Sequence, residues 1–153
     1  MDRHSQRMTL VAAAVLVPLV AACGSEHAGA GSGSGSVSPE PPVTGTHWRI
    51  ESISSHGSTE HPGSTAHLRF DPKTGKAGGR LGCNHFSAAA TVRDGNITLG
   101  SPTTTRMMCD ASLMRTERTL LGVFNSTLKY RLEHGTLTLT CTNGTIIQAV
   151  EQK

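Results

Sequence analysis

Leu128-Lys129-Tyr130-Arg131-Leu132-Glu133-His134-Gly135-Thr136-Leu137-Thr138-Leu139-Thr140-Cys141 is the stretch whose reading decides the fold. Leu128, Tyr130 and Leu132 alternate with charged residues, and Leu137, Leu139 and Cys141 alternate with threonines. Successive side chains of a strand point to opposite faces, so each run is a strand with one apolar and one polar face. His134-Gly135 lies between them and accepts a tight or left-handed turn. The unit is an antiparallel hairpin.

The same pattern extends outward. Asn143-Gly144 turns the chain into a last strand, Thr145 to Glu151. Upstream, Val92 and then Ile97 and Leu99 flank the turn pair Asp94-Gly95. Trp48 and Ile50 alternate with His47, Arg49 and Glu51, and Ala66, Leu68 and Phe70 alternate with His67 and Arg69. The turn Asp71-Pro72-Lys73-Thr74-Gly75 follows. Short connections between strands imply antiparallel pairing, and one polar face per strand implies a sheet covered on one side. Ser52 to Ser64 is polar without an apolar period and reads as a loop.

One segment departs from period two. Asp110 to Asn125 reads as a helix, with Asp110 as N-cap and Leu113, Leu120, Leu121 and Phe124 on one stripe. Glu117 falls in the middle of that stripe. A carboxylate there is costly to bury unless it is hydrogen-bonded.

The amino-terminal part has a different character. Arg3 and Arg7 precede an apolar run from Met8 to Val20, which is too short for a membrane-spanning helix of about 20 residues. A positive start, a short apolar core and small residues at the end are the parts of a secretory leader. The sequence Leu19-Val20-Ala21-Ala22-Cys23 resembles the bacterial lipobox, which implies cleavage after residue 22 and a lipid on Cys23. Residues 23–43 carry Gly-Ser repeats and then Pro39, Pro41 and Pro42, a flexible spacer stiffened at its far end. The domain expected is 44–153, one small unit able to form a core. Net charge is +3 with both signs interspersed, and no basic block points to nucleic acid.

Gly82-Cys83-Asn84, then Thr105-Arg106-Met107-Met108-Cys109, then Glu117 in a helix, resemble the META domain, also called the HslJ-like family. The resemblance runs from about Thr44 to Val150 and includes Trp48 and the closing hairpins. It implies a small α+β, mainly β, fold: an antiparallel, half-barrel-like sheet with one helix (about 110–125) packed on it. It also implies an envelope location and no established reaction. Cys141 is not a position of the family pattern.

Four cysteines are present, and a lipid on Cys23 leaves three. Cys83 and Cys109 sit in the family motifs, and outside the cytoplasm such a pair tends to be oxidised. The alternatives are two buried thiols, or a bridge that includes Cys141, which otherwise reads as a small buried hydrophobe. Glu117 reads as an acceptor for backbone groups or Asn84, joining helix to sheet. Asn84 in a tight turn reads as capping its own backbone, with Gly82 allowing close approach or positive φ. Thr105 belongs to the same structural set. Eight histidines invite a metal at Cys83, His85 and Cys109, but the paired spacings of metal sites are missing, so no metal and no cofactor are expected.

The expectation is a membrane-anchored, extracytoplasmic, non-enzymatic lipoprotein. Its partners would be the membrane, through Cys23, and either a hydrophobic ligand held on the open side of the half-barrel or an envelope protein. A second expectation, of a different class, is an enzyme using Glu117 with a reduced Cys83 or Cys109.

Overall fold

The computed structural model describes residues 42–153, so the leader, Cys23 and all but the end of the spacer lie outside the described residues. The strands are β1 (His47–Ser55), β2 (Ser58–Glu60), β3 (His67–Asp71), β4 (Lys76–Arg80), β5 (His85–Arg93), β6 (Asn96–Leu99), β7 (Thr103–Thr104), β8 (Ser126–Glu133), β9 (Thr136–Cys141) and β10 (Ile146–Glu151). One helix, α1 (Ala111–Leu121), lies between β7 and β8.

Hydrogen bonding runs in the order β10-β9-β8-β6-β5-β4-β3-β1, and β1 then pairs with β10. Those eight strands therefore close on themselves, with β2 attached to β1 and β7 to β5. The half-barrel sheet with an open apolar side is thus corrected to a closed antiparallel barrel. The closing contact is Trp48↔Glu151 through Ser54↔Ile146, between the first and last strands of the chain. Closure removes the two free sheet edges that a half-barrel would expose.

The closing strand carries the one irregularity in that seam. Ile50 pairs Ala149 and Ser52 pairs Gln148, which leaves Glu51 as an extra residue. Such a bulge shifts the alternation by one. Trp48 and Ile50 point inward before it, and Ser52 and Ile53 are both buried after it. This is why the sequence alternation fades at Glu51 although β1 continues to Ser55. The second half of β1 also holds β2, so part of the expected 52–64 loop is a hairpin.

Inward side chains fill the barrel. Trp48, Ile50, Ile97, Leu128, Leu137, Leu139 and Ile147 are wholly buried, while most outward positions are polar or charged, Ile146 being an exposed exception. That is the reverse of a membrane-spanning barrel, whose apolar residues face out. An eight-stranded barrel is just wide enough for side chains to fill it. The remaining central cavity is apolar and about 20 Å³, lined by residues such as Phe70, Phe86, Leu99 and Phe124. A single water needs roughly 10–15 Å³ on this measure, so the interior has no room for an acyl chain.

Helix α1 plugs one mouth. Leu120, Val123 and Phe124 enter the core, and the Phe124 ring meets Phe86 edge-on at 5.3 Å between centroids. The helix is shorter than expected. Gly122, Val123 and Phe124 donate to carbonyls three residues back, and Asn125 then adopts a left-handed φ of 57°. Asp110 does occupy the N-cap position, but its side chain caps nothing. At the opposite mouth lie the 71–76, 93–96 and 133–136 turns and both ends of the described chain. There the Val43 carbonyl accepts the Trp48 indole N–H at 2.9 Å, so Val43 belongs to the barrel rather than to the spacer.

Two adjacent glycines in β4 give a sharp contrast. A Cβ on Gly79 would collide with the His67 carbonyl, and its φ is +153°. A Cβ on Gly78 would meet only the Phe86 carbonyl, at an ordinary 3.5 Å. Gly79→Ala should lose about 2–4 kcal/mol in chemical denaturation, with Gly78→Ala within about 1 kcal/mol of wild type. Equal midpoints for the two variants would contradict this packing.

Candidate functional site

The structure brings Gly82, Cys83, Asn84, Thr105, Cys109 and Glu117 into one cluster at the helix-capped mouth. Three segments meet there: the turn between β4 and β5, the stretch leading into α1, and α1 itself. Gly82 has φ +133°, and a Cβ on it would lie 2.9 Å from the Leu113 carbonyl. The missing side chain lets the turn rest directly on the helix backbone.

That contact places Asn84 against Glu117. The Glu117 Oε2 accepts the Asn84 backbone N–H at 2.7 Å and its Nδ2 at 3.1 Å, while Oε1 accepts Nδ2 at 2.9 Å. Asn84 Oδ1 accepts the Thr105 hydroxyl at 2.9 Å and the Met107 N–H at 2.6 Å. Asn84 Nδ2 also donates to the Met107 carbonyl at 3.3 Å, and the Asn84 carbonyl accepts the Leu81 N–H at 3.0 Å. Thr105 Oγ1 in turn accepts the His85 N–H at 3.1 Å. Every polar group of Asn84 is therefore used, and Asn84 is 3% exposed and Glu117 6%. Asn84 does not cap its own backbone. Its side chain spans all three segments.

The Cys83–Cys109 disulfide closes the same cluster from the side, with 5.8 Å between Cα atoms. Arg80 Nε donates to the Cys83 carbonyl at 3.1 Å. Sequence reasoning missed Arg80 and the backbone of Met107. The Met107 role follows from its place between Thr105 and Cys109, which forces its peptide groups past Asn84. The Met107 side chain, with that of Met108, points outward and is exposed.

This arrangement limits the chemistry available. Both oxygens of Glu117 are occupied by donors that are themselves fixed. The two sulfurs are bonded to each other, so neither is a thiolate nucleophile or a metal ligand beside His85. Among the described residues no group of three His, Cys, Asp or Glu side chains is placed to hold a metal.

Cys141 is the free, buried thiol of the described residues and lies on another part of the barrel. Burial pushes its pKa up, but hydrogen bonds from Ser126, the Asn143 backbone and Thr142 outweigh that and hold it below the ordinary value. The Ser126 hydroxyl stands 3.5 Å from the sulfur.

The model of one family, the META domain, matches residues 41–153. The chain belongs to the META domain family. No curated protein is similar enough to count as a relative. An NMR structure of a protein from Burkholderia xenovorans is similar in fold, with a TM-score of 0.60, 20% identity, and 72% of this chain and 84% of that one covered. A second NMR structure, whose description gives no organism, has a TM-score of 0.55, 22% identity, and 71% and 91% coverage. At such identities the likeness is one of fold. In this META domain the residues that carried the resemblance are those that tie helix to barrel.

Two outcomes follow. Glu117→Leu leaves the buried Asn84 backbone N–H without an acceptor and its Nδ2 with the Met107 carbonyl alone, and should cost on the order of 3–5 kcal/mol; Glu117→Gln keeps one acceptor oxygen and should cost roughly 1–2 kcal/mol. Equal thermal midpoints would remove the clamp from the account. For the disulfide, the bridge spans a sequence separation of 26 and should contribute about 3–4 kcal/mol. Non-reducing mass spectrometry of the unfolded chain should find Cys83 joined to Cys109 and the Cys141 thiol free, and free thiols at all three positions would contradict the bridge.

Proposed function

We propose that this META domain is a non-enzymatic binding module, anchored through a lipid on Cys23 to the outer face of the cell membrane and acting on envelope partners there. The observation that carries the non-enzymatic part is the use of Glu117, Cys83 and Cys109 as structural groups. The enzyme reading needs Glu117 free to exchange a proton and Cys83 or Cys109 as a reduced thiol. The anchoring part rests on the leader, the small residues before Cys23 and the Gly/Ser/Pro spacer.

Within that reading, partner binding is favoured over carriage of a hydrophobic ligand. A central cavity of about 20 Å³ excludes a lipid from the barrel interior. The partner would meet the outer surface of the barrel. A role in supporting the envelope under stress fits such a tethered module.

Expression in a bacterial host with fractionation tests this. Wild type should enter the membrane fraction, with a diacylglycerol adduct on Cys23 in mass spectra of the amino-terminal peptide. Cys23→Ala should leave an uncleaved or soluble extracytoplasmic product. A wild-type chain recovered without lipid in the soluble fraction would overturn the anchored reading.

A further inference from the structure

The outer wall of β1, β3, β4 and β5 carries a hollow lined by basic residues. Register lines its outward residues in rows across the strands. One row is His47↔Arg69↔Gly78↔Ser87, and the next is Asp71↔Lys76↔Ala89. Directly opposed side chains on one face of a sheet stand about 4.5–5.5 Å apart at Cβ, so these groups share one patch. Gly78 leaves the middle of the first row empty. The result is a trough of about 310 Å³, with His47, His67, Arg69 and Lys76 around it and Ser87 at its edge. That volume lies at the lower end of the range for small-ligand sites.

Three arginines of the described residues are held in salt bridges. Arg49 pairs with Glu51, Arg93 with Asp94 and Arg131 with Glu133. Arg69 instead spends Nε on the Gly45 carbonyl at 3.1 Å, which fixes its stem. Among the described residues, its terminal nitrogens and Lys76 Nζ make no hydrogen bond or salt bridge. Asp71 also lines the trough, opposite Lys76 and within electrostatic reach of Arg69. Its Oδ1 accepts the N–H groups of Lys73 at 2.9 Å and Thr74 at 3.4 Å, so Arg69 and Lys76 face one carboxylate whose loop already uses one oxygen.

We propose that this trough is an anion site that takes a phosphate-type oxyanion over Gly78, held by Arg69 and Lys76. A planar guanidinium and an ammonium line one hollow, a pairing that suits an oxyanion with several acceptor oxygens. His47, His67 and Ser87 add ring N–H and hydroxyl donors. Both a free phosphate and an anionic lipid headgroup carry this chemistry. The trough includes His47 and residues of the 71–76 turn, so it reaches the mouth that holds both ends of the described chain. The site stands on its own geometry, whether or not Cys23 carries a lipid.

Titration of the purified, ¹⁵N-labelled chain with inorganic phosphate at low salt tests this. Saturable amide shifts are expected at Gly78, Gly79 and Ser87. Arg69→Gln/Lys76→Gln, which alters exposed side chains, should weaken binding at least about tenfold, the loss expected for charge-assisted hydrogen bonds. Gly78→Val keeps every charge but fills the hollow, and it should abolish the saturable shifts. Sedimentation with phosphatidylglycerol but not phosphatidylcholine vesicles, lost in both variants, would support the site with a lipid headgroup as its source; phosphate binding without vesicle binding would support it with a free anion. Shifts that do not saturate, that spread over unrelated basic residues, or that survive Arg69→Gln/Lys76→Gln would overturn the proposal.

Discussion

The carboxylate of Glu117 and the amide of Asn84 form the contact on which the rest of this mouth of the barrel depends. A helix laid across a barrel opening must bury one face, and here that face has a charge at its centre. Burying a carboxylate is tolerable only when fixed donors replace its water. Asn84 supplies them from its backbone and its side chain together, and its remaining atoms bind Thr105 and Met107. One asparagine thus sets the distance between helix, turn and connecting segment. The disulfide and Gly82 act on the same three pieces, one by a covalent limit and the other by allowing close approach.

The second constraint is closure. Pairing between β1 and β10 turns a meandering sheet into a barrel and brings the two ends of the described chain to one mouth. With that mouth carrying the turns and the other carrying the clamp, the interior is sealed and nearly filled. The proposed binding role therefore falls to the outside surface. A filled barrel has little to offer a hydrophobic cargo, but its rigid wall can present fixed charges, as the β1-β3-β4-β5 face does.

The sequence made much of this legible, and the exceptions have physical causes. The β8-β9-β10 meander was plain because large apolar residues alternate cleanly from Leu128 to Cys141 and Asn143-Gly144 turns the chain into the last strand. β4 and most of β5 were not, because Ala77, Gly78, Gly79, Ala88, Ala89 and Ala90 carry too little apolar bulk to show a period. The far half of β1 was hidden by the bulge at Glu51, which resets the alternation. Closure itself leaves no local mark, since it pairs residues about 100 positions apart through backbone groups that every residue has. The cluster was visible as a set of motifs, and Glu117 stood out as a charge on an apolar stripe. What could not be read was that Asn84 reaches outward to three segments instead of capping its own turn, because that depends on where the helix comes to rest.

If the Glu117–Asn84 contact holds the fold together, the amides it fixes should open only with the whole molecule. Native-state hydrogen exchange of Asn84 and Met107 measures this directly. Their exchange free energies should match those of the slowest core amides, such as Leu128 and Leu139, and should fall with them in denaturant. Exchange of Asn84 and Met107 through a low-energy local opening, while the β8-β9 core stays protected, would contradict the structural role given to the clamp and return the site to the class of mobile, reactive ones.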